Sequence, residues 1–273
     1  DLGHFYMIQP KFGNGFHDIL QYHMFCGDKY FAARVFWTET LWHHSAWIYD
    51  GESQEIWNSS EALEQSDQDH MDLHGDGFRM SIPDTSGVVV VSPNDDKDGM
   101  ELHIHARNTF KWTFPHGGPP TIHQPNLECE VYYRGKTYRG IGYSKRYHFE
   151  DRVTHWGYRF IHATTDNHSS VLWSADATFG HKKYAYFKVV GDNGDLHESD
   201  LKDSAHRDDA IFGVVDGTQY RVELEELGIW DTCLRSSAMD SQMRQRFCRT
   251  KIYRGDHCET GYGVNELCFG TLG

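Results

Sequence analysis

The segment Gly135-Lys136-Thr137-Tyr138-Arg139-Gly140-Ile141-Gly142-Tyr143 places two closely spaced glycines between aromatic residues. Its first residue completes the triplet Tyr133-Arg134-Gly135, which is typical of a turn after a strand. The triplet Gly140-Ile141-Gly142 then indicates a second strand that begins at a tight bend. The same order recurs a domain's length later, where Tyr253-Arg254-Gly255 precedes Gly261-Tyr262-Gly263-Val264. The repeated pattern indicates a duplicated β unit.

Apolar and polar residues alternate on both sides of this segment, and this period of two favours β structure throughout the chain. Met100 to Ala106 alternates apolar residues with Glu and His, and Phe78 to Ile82 alternates in the same way. The aromatic content of 14% also favours strands. Many short strands separated by turn residues indicate a barrel or a sandwich. Two segments, Glu55 to Glu64 and Ser236 to Arg249, are expected to form short helices.

Composition and charge exclude several classes of partner. The chain of 273 residues has 26 Lys and Arg against 40 Asp and Glu, a formal net charge of -14. A nucleic-acid-binding protein usually presents a basic face, so no nucleic-acid partner is expected. The acidic surface also disfavours anionic lipid. No segment has the roughly 20 apolar residues that a membrane span needs.

The cysteines and two sequence motifs bear on the cellular compartment. Six cysteines permit disulfides, although their pairing cannot be read from the sequence. Two glycosylation motifs occur, at Asn58-Ser59-Ser60 and Asn167-His168-Ser169. Together with the Asp at position 1, they favour a secreted or luminal protein, and a reduced cytoplasmic protein is the alternative. The chain has no Cys-x-x-Cys, so a thiolate zinc site is not expected.

Asp176 is the leading candidate for a catalytic acid. It lies within Val171 to Phe179, an apolar and aromatic run, and burial disfavours the charged form of a carboxylate. A neutral acid in such a pocket could protonate an alkene or epoxide, and the aromatic faces of Trp173, Trp156 and Phe179 could stabilise the resulting cation. The alternative is an Asp176 that points to solvent on its strand.

Other residues of the same region could assist. His155 and Tyr143 are the candidate acid–base partners of Asp176, and a structural, hydrogen-bonded histidine is the alternative for His155. Adjacent residues of a strand point to opposite faces, so His155 and Trp156 would not share an environment. Arginine side chains bind carboxylates and enolates well, so the arginines of this region could bind the polar end of a substrate. The alternative role for each arginine is a surface ion pair. The side chains expected to orient a polar substrate group are Arg146, Tyr158 and Arg159.

The 19 histidines raise the question of a metal site. His103 and His105 are two residues apart on a predicted strand, so their side chains share a face that could hold zinc or iron. The remaining histidines are scattered and no spacing forms a strong motif, so no metal ligands and no cofactor are assigned. Nucleotide-binding and nucleophile-elbow motifs do not occur in the sequence.

Three segments together resemble a known superfamily. Gly135 to Tyr143, then His155-Trp156-Gly157, and finally Gly261-Tyr262-Gly263-Val264-Asn265-Glu266 are similar to motifs of the lipocalin-like carotenoid 1,2-hydratases (hydroxyneurosporene synthases) and the related AttH-like proteins. The resemblance implies a mainly β protein of two lipocalin-like antiparallel β-barrel domains, residues 1–150 and 151–273. It also implies a hydrophobic cavity near their interface.

The resemblance and the candidate residues together predict an enzyme. The expected substrate is a hydrophobic isoprenoid or polyene-like small molecule, and the expected reaction is an acid-initiated hydration, cyclisation or isomerisation without a cofactor. The superfamily includes hydratase, cyclase and pericyclase types, so a lyase or an isomerase is expected. Two alternatives stay open: a non-catalytic lipocalin-like carrier of an apolar ligand, and a His-rich metal-dependent β-barrel enzyme. Fold alone does not decide among them.

Overall fold

A computed structural model describes residues 17–38, 42–67, 71–82, 86–92, 99–113, 120–149, 155–167, 170–191, 193–199, 204–236 and 239–272. The chain divides into two compact units, Asp1–Asp151 and Arg152–Gly273. Regular structure in the described ranges is antiparallel β-strand throughout. No helix that could cross a membrane occurs among these residues.

Unit 1 is one curled sheet of twelve strands. The spatial order is β4-β3-β2-β1-β12-β11-β9-β8-β7-β6-β5, and β10 pairs with β11 beside this path. The strands are β1 His17–Cys26, β2 Lys29–Thr38, β3 Trp42–Tyr49, β4 Gln54–Ser59, β5 Glu64–Asp67, β6 Met71–Gly75, β7 Phe78–Ile82, β8 Ser86–Val91, β9 Met100–Ala106, β10 Phe110–Thr113, β11 Pro120–Tyr133 and β12 Lys136–Phe149.

Unit 2 is a sheet of nine strands with the order β16-β15-β14-β13-β21-β20-β19-β18-β17. Its strands are β13 Trp156–Thr165, β14 Ser170–Phe179, β15 Lys182–Gly191, β16 Leu196–Ser199, β17 Ser204–His206, β18 Ala210–Val215, β19 Thr218–Ser236, β20 Met239–Arg254 and β21 His257–Leu272. In both units the first four strands run consecutively from one edge, and the last strand pairs with the first. The two units are therefore topological repeats, and the predicted pair of lipocalin-like antiparallel barrels is confirmed.

The two Gly-x-Gly segments lie where each last strand pairs with each first strand. A Cβ atom on Gly140 of β12 would lie 1.9 Å from the carbonyl oxygen of Phe25 on β1. A Cβ atom on Gly261 of β21 would likewise lie 1.9 Å from the carbonyl oxygen of Thr164 on β13. Only glycine permits this separation, so these residues allow the strand contact that completes each curled sheet.

The sheets are buried on two faces near the first and last strands. In each unit an interior face forms the apolar core. In unit 1 this core includes Leu20, Met24, Phe31, Val35, Met80, Val89, Leu102 and Val131, and in unit 2 it includes Ile161, Leu172, Phe187, Val189, Ile211 and Val222. The opposite face of the same strands, here called the second face, is also buried and carries polar side chains such as His23 and Glu266.

The two helices expected from the sequence are wrong. The first segment contains the edge strand β4 and the start of β5, and the second lies mostly in β20. In β20 the buried residues Ser241, Met243 and Gln245 alternate with the exposed residues Gln242 and Arg244. A spacing of four residues places side chains on one face of a strand as well as of a helix, so Met243 and Phe247 fitted either structure.

The disulfides expected from the cysteine count are also wrong, because all six cysteines are free thiols. No cysteine lies opposite another in the strand registers. Cys129 pairs with Gly140 and Ile104, Cys233 with Gln242, and Cys268 with Tyr158 and Met243. Four of the thiols are buried. Two of them, Cys26 and Cys129, lie beside the same Gly140 and are hydrogen-bonded to each other, which together with burial raises the pKa of Cys129. Secretion stays a prediction that these thiols do not support.

Replacing Gly261 by alanine should destabilise unit 2. The added methyl group would meet the Thr164 carbonyl, so the strands must separate, and we expect a loss of about 2–4 kcal/mol in unfolding free energy. Thermal and urea unfolding measure the effect. The matched control is Gly157→Ala on β13, whose Cβ would make ordinary contacts at 3.6 Å with Phe269. That control should stay within about 1 kcal/mol of wild type. Equal effects of both substitutions would contradict the close-contact argument.

Candidate functional site

The residues that the sequence groups together belong to both units. Two of the predicted site residues, Tyr143 and Arg146, lie on β12 of unit 1. The others lie in unit 2, where they are His155, Trp156, Tyr158, Arg159, Trp173, Asp176 and Phe179. Within unit 2 they are further divided between the two faces of the sheet, because strand neighbours alternate.

A fully buried carboxylate lies on the second face of unit 2. Glu266 of β21 is 0% exposed, and its carboxylate accepts hydrogen bonds from the hydroxyl group of Tyr158 and from the side-chain amide of Gln245. We call Tyr158, Gln245 and Glu266 the carboxylate site. Burying a charged group without partners is expensive, and these two donors supply part of the compensation.

Strand register explains how three distant residues meet at the carboxylate site. Glu266 lies opposite Phe160 on β13 and opposite Gln245 on β20. Tyr158 is two residues before Phe160, so its side chain projects from the same face and reaches Glu266 diagonally. The site is thus a product of three adjacent strands, and a shift by one residue would move each side chain to the other face.

Aromatic residues surround the carboxylate site on the same face. Trp156 stacks on Tyr158, with ring centroids 5.8 Å apart and planes 20° apart, and both are half-buried. Trp173 is fully buried and lies opposite His162 in the β13–β14 register. Phe179 lies opposite Trp156, although its side chain is outside the described residues. The face therefore combines an accessible aromatic pair with a buried acid.

The chemistry that the site can perform depends on Tyr158, which is half-buried. Glu266 is dry, but the tyrosine hydroxyl that bonds to it belongs to a residue that reaches the surface. A proton can move along this hydrogen bond in either direction between the buried carboxylate and a molecule bound against Tyr158. The pair is suited to acid–base catalysis on a substrate held by aromatic side chains.

Asp176 lies on the opposite, interior face of unit 2, and its side chain is exposed. The expected burial of this carboxyl group is therefore wrong, because Asp176 lies at a solvated part of β14, opposite Arg159. Arg159 forms an ion pair with Asp208 at 2.7 Å, which was the alternative for that arginine. A catalytic role of Asp176 stays a prediction.

A serine–histidine pair lies near Asp176. The Oγ atom of Ser174 is 2.6 Å from Nε2 of His206, and the same hydroxyl donates to the carbonyl oxygen of Tyr186 at 2.7 Å. Burial lowers the pKa of His206 to about 4, and the positive charge of Arg159 acts in the same direction against the opposing effect of Asp176. His206 is therefore neutral at physiological pH, and its Nε2–H donates to Ser174.

Tyr143 belongs to a buried cluster on the second face of unit 1. Its ring stacks on His23 with centroids 4.5 Å apart and planes 13° apart. His23 donates from Nε2 to the side-chain oxygen of Gln21 at 2.8 Å and accepts at Nδ1 from the hydroxyl of Tyr30. We call Gln21, His23, Tyr30 and Tyr143 the tyrosine–histidine cluster. It holds exchangeable protons, and Tyr143 is fully buried within it.

Arg146 and His155 occupy different environments from the two clusters. Arg146 is fully buried on the interior face of unit 1, with its guanidinium 5.7 Å from the ring centroid of Trp37. The surface ion pair that was its alternative is therefore wrong. His155 is exposed just before β13, with its ring 5.8 Å from that of His181. Neither position contributes to the carboxylate site as described.

Glu266 and Gln245 are not among the residues predicted from the sequence, although Glu266 ends the second Gly-x-Gly segment. A carboxylate between Val264 and the apolar run Leu267 to Phe269 carried the same signal as Asp176.

The described residues contain no group of three or more His, Cys, Asp or Glu placed to hold a metal ion. His103 is hydrogen-bonded to Glu101, and His105 to Ser86.

Comparison with known proteins finds structural neighbours at low sequence identity. A protein of Nitrosomonas europaea provisionally assigned as AttH matches with a TM-score of 0.61 and 12% identity, covering 93% of this chain and 92% of that one. Kievitone hydratase of Nectria haematococca matches with a TM-score of 0.59 and 11% identity, covering 95% and 90%. CghA matches with a TM-score of 0.58 and 9% identity, covering 94% and 88%.

No protein-family model matches the sequence, and no curated protein matches it. The structural matches nevertheless extend over nearly the whole of each chain. They agree with the strand order and with the resemblance seen in the Gly-x-Gly segments. The chain therefore has the two-domain, lipocalin-like fold of the AttH-type proteins.

Proposed function

We propose that the protein is an acid–base enzyme of the hydratase, cyclase or isomerase kind, acting on an unsaturated hydrophobic small molecule. The observation that carries the proposal is the fully buried Glu266, hydrogen-bonded to the half-exposed Tyr158. The chain's own side chains supply the proton transfers, so the proposal names no cofactor.

The proposed reaction starts with Glu266 in its protonated form. Glu266 passes its proton to the Tyr158 oxygen while the Tyr158 hydroxyl proton moves to one carbon of a double bond. The electron pair of the double bond forms the new C–H bond, and the neighbouring carbon becomes cationic. Glu266 is left as a carboxylate that accepts from the Tyr158 hydroxyl, which is the arrangement in the structure.

The cation can then react in three ways, and each of them restores the proton balance of the site. Water can add to the cation and lose a proton to Tyr158, which returns its own to Glu266, so that the product is hydrated. Loss of a proton from an adjacent carbon to Tyr158 gives an isomer. Attack by a second double bond, followed by the same proton loss, gives a ring. Trp156, which stacks on Tyr158, would stabilise the cation in each case through its aromatic ring.

The aromatic surroundings support a hydrophobic substrate such as an isoprenoid or polyene. Trp156, Trp173 and Phe160 share the face of the carboxylate site, and such side chains offer large apolar contact areas. Kievitone hydratase, which has the same fold, supports the hydratase member of the proposed class. Its low identity means that substrate identity must come from experiment.

A deuterium-incorporation assay tests the proposal before the natural substrate is known. The purified protein is incubated in D2O with prenylated phenols, linear polyenes and unsaturated ketones, and with small molecules extracted from the native protein. Mass spectrometry then detects C–D bonds, which all three reaction outcomes create. A bound apolar ligand that never acquires deuterium would instead identify a carrier.

Substituting Glu266→Gln should reduce deuterium incorporation by about 100-fold or more, because the proton store is removed while side-chain shape is kept. Circular dichroism and thermal unfolding check that the variant is folded. Asp176→Asn is the informative comparison, since it removes the carboxylate that the sequence favoured. Full loss in Asp176→Asn with retention in Glu266→Gln would overturn the proposal and reinstate Asp176.

Substituting Tyr158→Phe should also abolish proton transfer, because it removes the hydroxyl that links Glu266 to the substrate while it retains the stacked ring. The affinity for the apolar ligand should change by less than about threefold, because the aromatic ring that contacts the ligand is retained. Equilibrium binding and deuterium incorporation are measured on the same preparation. A Tyr158→Phe variant with normal turnover would show that Glu266 does not act through this residue.

A further inference from the structure

A cleft unrelated to the carboxylate site lies within unit 1. It has a volume of about 410 Å³ and is formed between the edge strand β4 on one side and the β6–β7 turn with the end of β8 on the other. This volume falls in the range of roughly 300–1,000 Å³ that is typical of small-molecule pockets. The lining residues used below are His44, Ser45, Ile56, Trp57, Glu61 and Asp76.

The inner wall of the cleft contains polar groups with unused hydrogen-bonding capacity. His44 is only 3% exposed, and among the described residues its Nδ1 has no hydrogen-bond partner. The side chain of Ser45, the next residue on β3, points to the opposite face of the strand, and its buried hydroxyl also lacks a partner among the described residues. Such groups cost free energy unless something bonds to them. Burial lowers the pKa of His44, so its neutral ring adds no positive charge to the cleft.

The outer wall combines apolar and acidic side chains. Trp57 is half-buried and packs against the core, whereas Ile56, the preceding residue on β4, is exposed and points to the opposite face of the strand. Glu61 and Asp76 both line the cleft and both are exposed. Among the described residues that line the cleft, none is a lysine or an arginine and two are acidic, so this set carries a negative formal charge.

We infer that this cleft binds a small organic cation, an amine or quaternary ammonium compound with an apolar or aromatic body. Asp76 and Glu61 would attract the charged nitrogen, and the Trp57 ring offers a face for cation–π contact. His44 Nδ1 would accept a hydrogen bond from a donor on the ligand. The negative net charge of -14 for the whole chain also increases the local concentration of cations.

A titration with matched probes tests this site on the full-length protein. The probes are 2-phenylethylammonium, the uncharged 2-phenylethanol and the anion 3-phenylpropionate, which share an aromatic body and differ in charge. Isothermal titration calorimetry should give the cation a Kd below about 1 mM. The uncharged probe should bind at least about fivefold more weakly, because it loses the ionic contact. The anion should not bind.

Two variants locate the binding. Asp76→Asn should weaken 2-phenylethylammonium by about fivefold or more, and Trp57→Leu should abolish binding if it folds. The matched control is Glu52→Gln, which removes an exposed carboxylate of the β3–β4 turn that does not line the cleft. That control should bind as wild type does.

Three results would overturn the inference. They are equal affinity for the cation and the uncharged probe, an equal effect of Asp76→Asn and Glu52→Gln, and no binding of the cation at millimolar concentration. Deuterium incorporation at the carboxylate site is measured on the same variants. It should be unchanged in Asp76→Asn, so this inference can fail while the proposed acid–base function survives, and the reverse also holds.

Discussion

The contact between each last strand and each first strand determines the arrangement of both units. The glycines of β12 and β21 bring their backbones against the carbonyl groups of β1 and β13, at separations that no Cβ atom would allow. Once this pairing is made, strand register places every later side chain. In unit 1, Tyr143 directly follows the second glycine and lies opposite His23. In unit 2, Glu266 is three residues after the second glycine and lies opposite Phe160. The candidate site is thus a consequence of how the sheet closes.

The same register shows how the two repeats have diverged. Gly142 and Gly263 are equivalent, and His23 and His162 lie at equivalent positions on the first strands. Three residues beyond each glycine, unit 1 has the buried cation Lys145, whereas unit 2 has the buried carboxylate Glu266. One fold therefore presents a basic group in one unit and an acidic group in the other, on equivalent strands. The equivalent strands therefore share their glycines but carry ionisable residues of opposite type at this position.

The sequence predicts the backbone of this protein better than its site, for a physical reason. Turn glycines and period-two alternation are local properties, so the strands and the repeat could be inferred. Alternation identifies a buried face only when the other face is solvated. Strands β14 and β21 are buried on both faces along part of their length, so their sequences do not distinguish Asp176 from Glu266 as the buried acid. The two expected helices fail for a related reason, because a four-residue spacing is compatible with both structures.

The position of Glu266 is better explained by chemistry than by stability. Replacing a buried ionic group by apolar residues of similar volume is often neutral or stabilising, so a carboxylate in a dry sheet is weak evidence of a structural role. A hydrogen bond made only to hold strands together would also have no need to reach the surface. Here the acceptor is fully buried, whereas Tyr158 is half-exposed and stacked on a half-exposed tryptophan. The Tyr158–Glu266 bond therefore joins a fully buried acceptor to a residue that is partly exposed. Under the proposed function, Tyr158 would carry a proton between the buried carboxylate and a bound molecule.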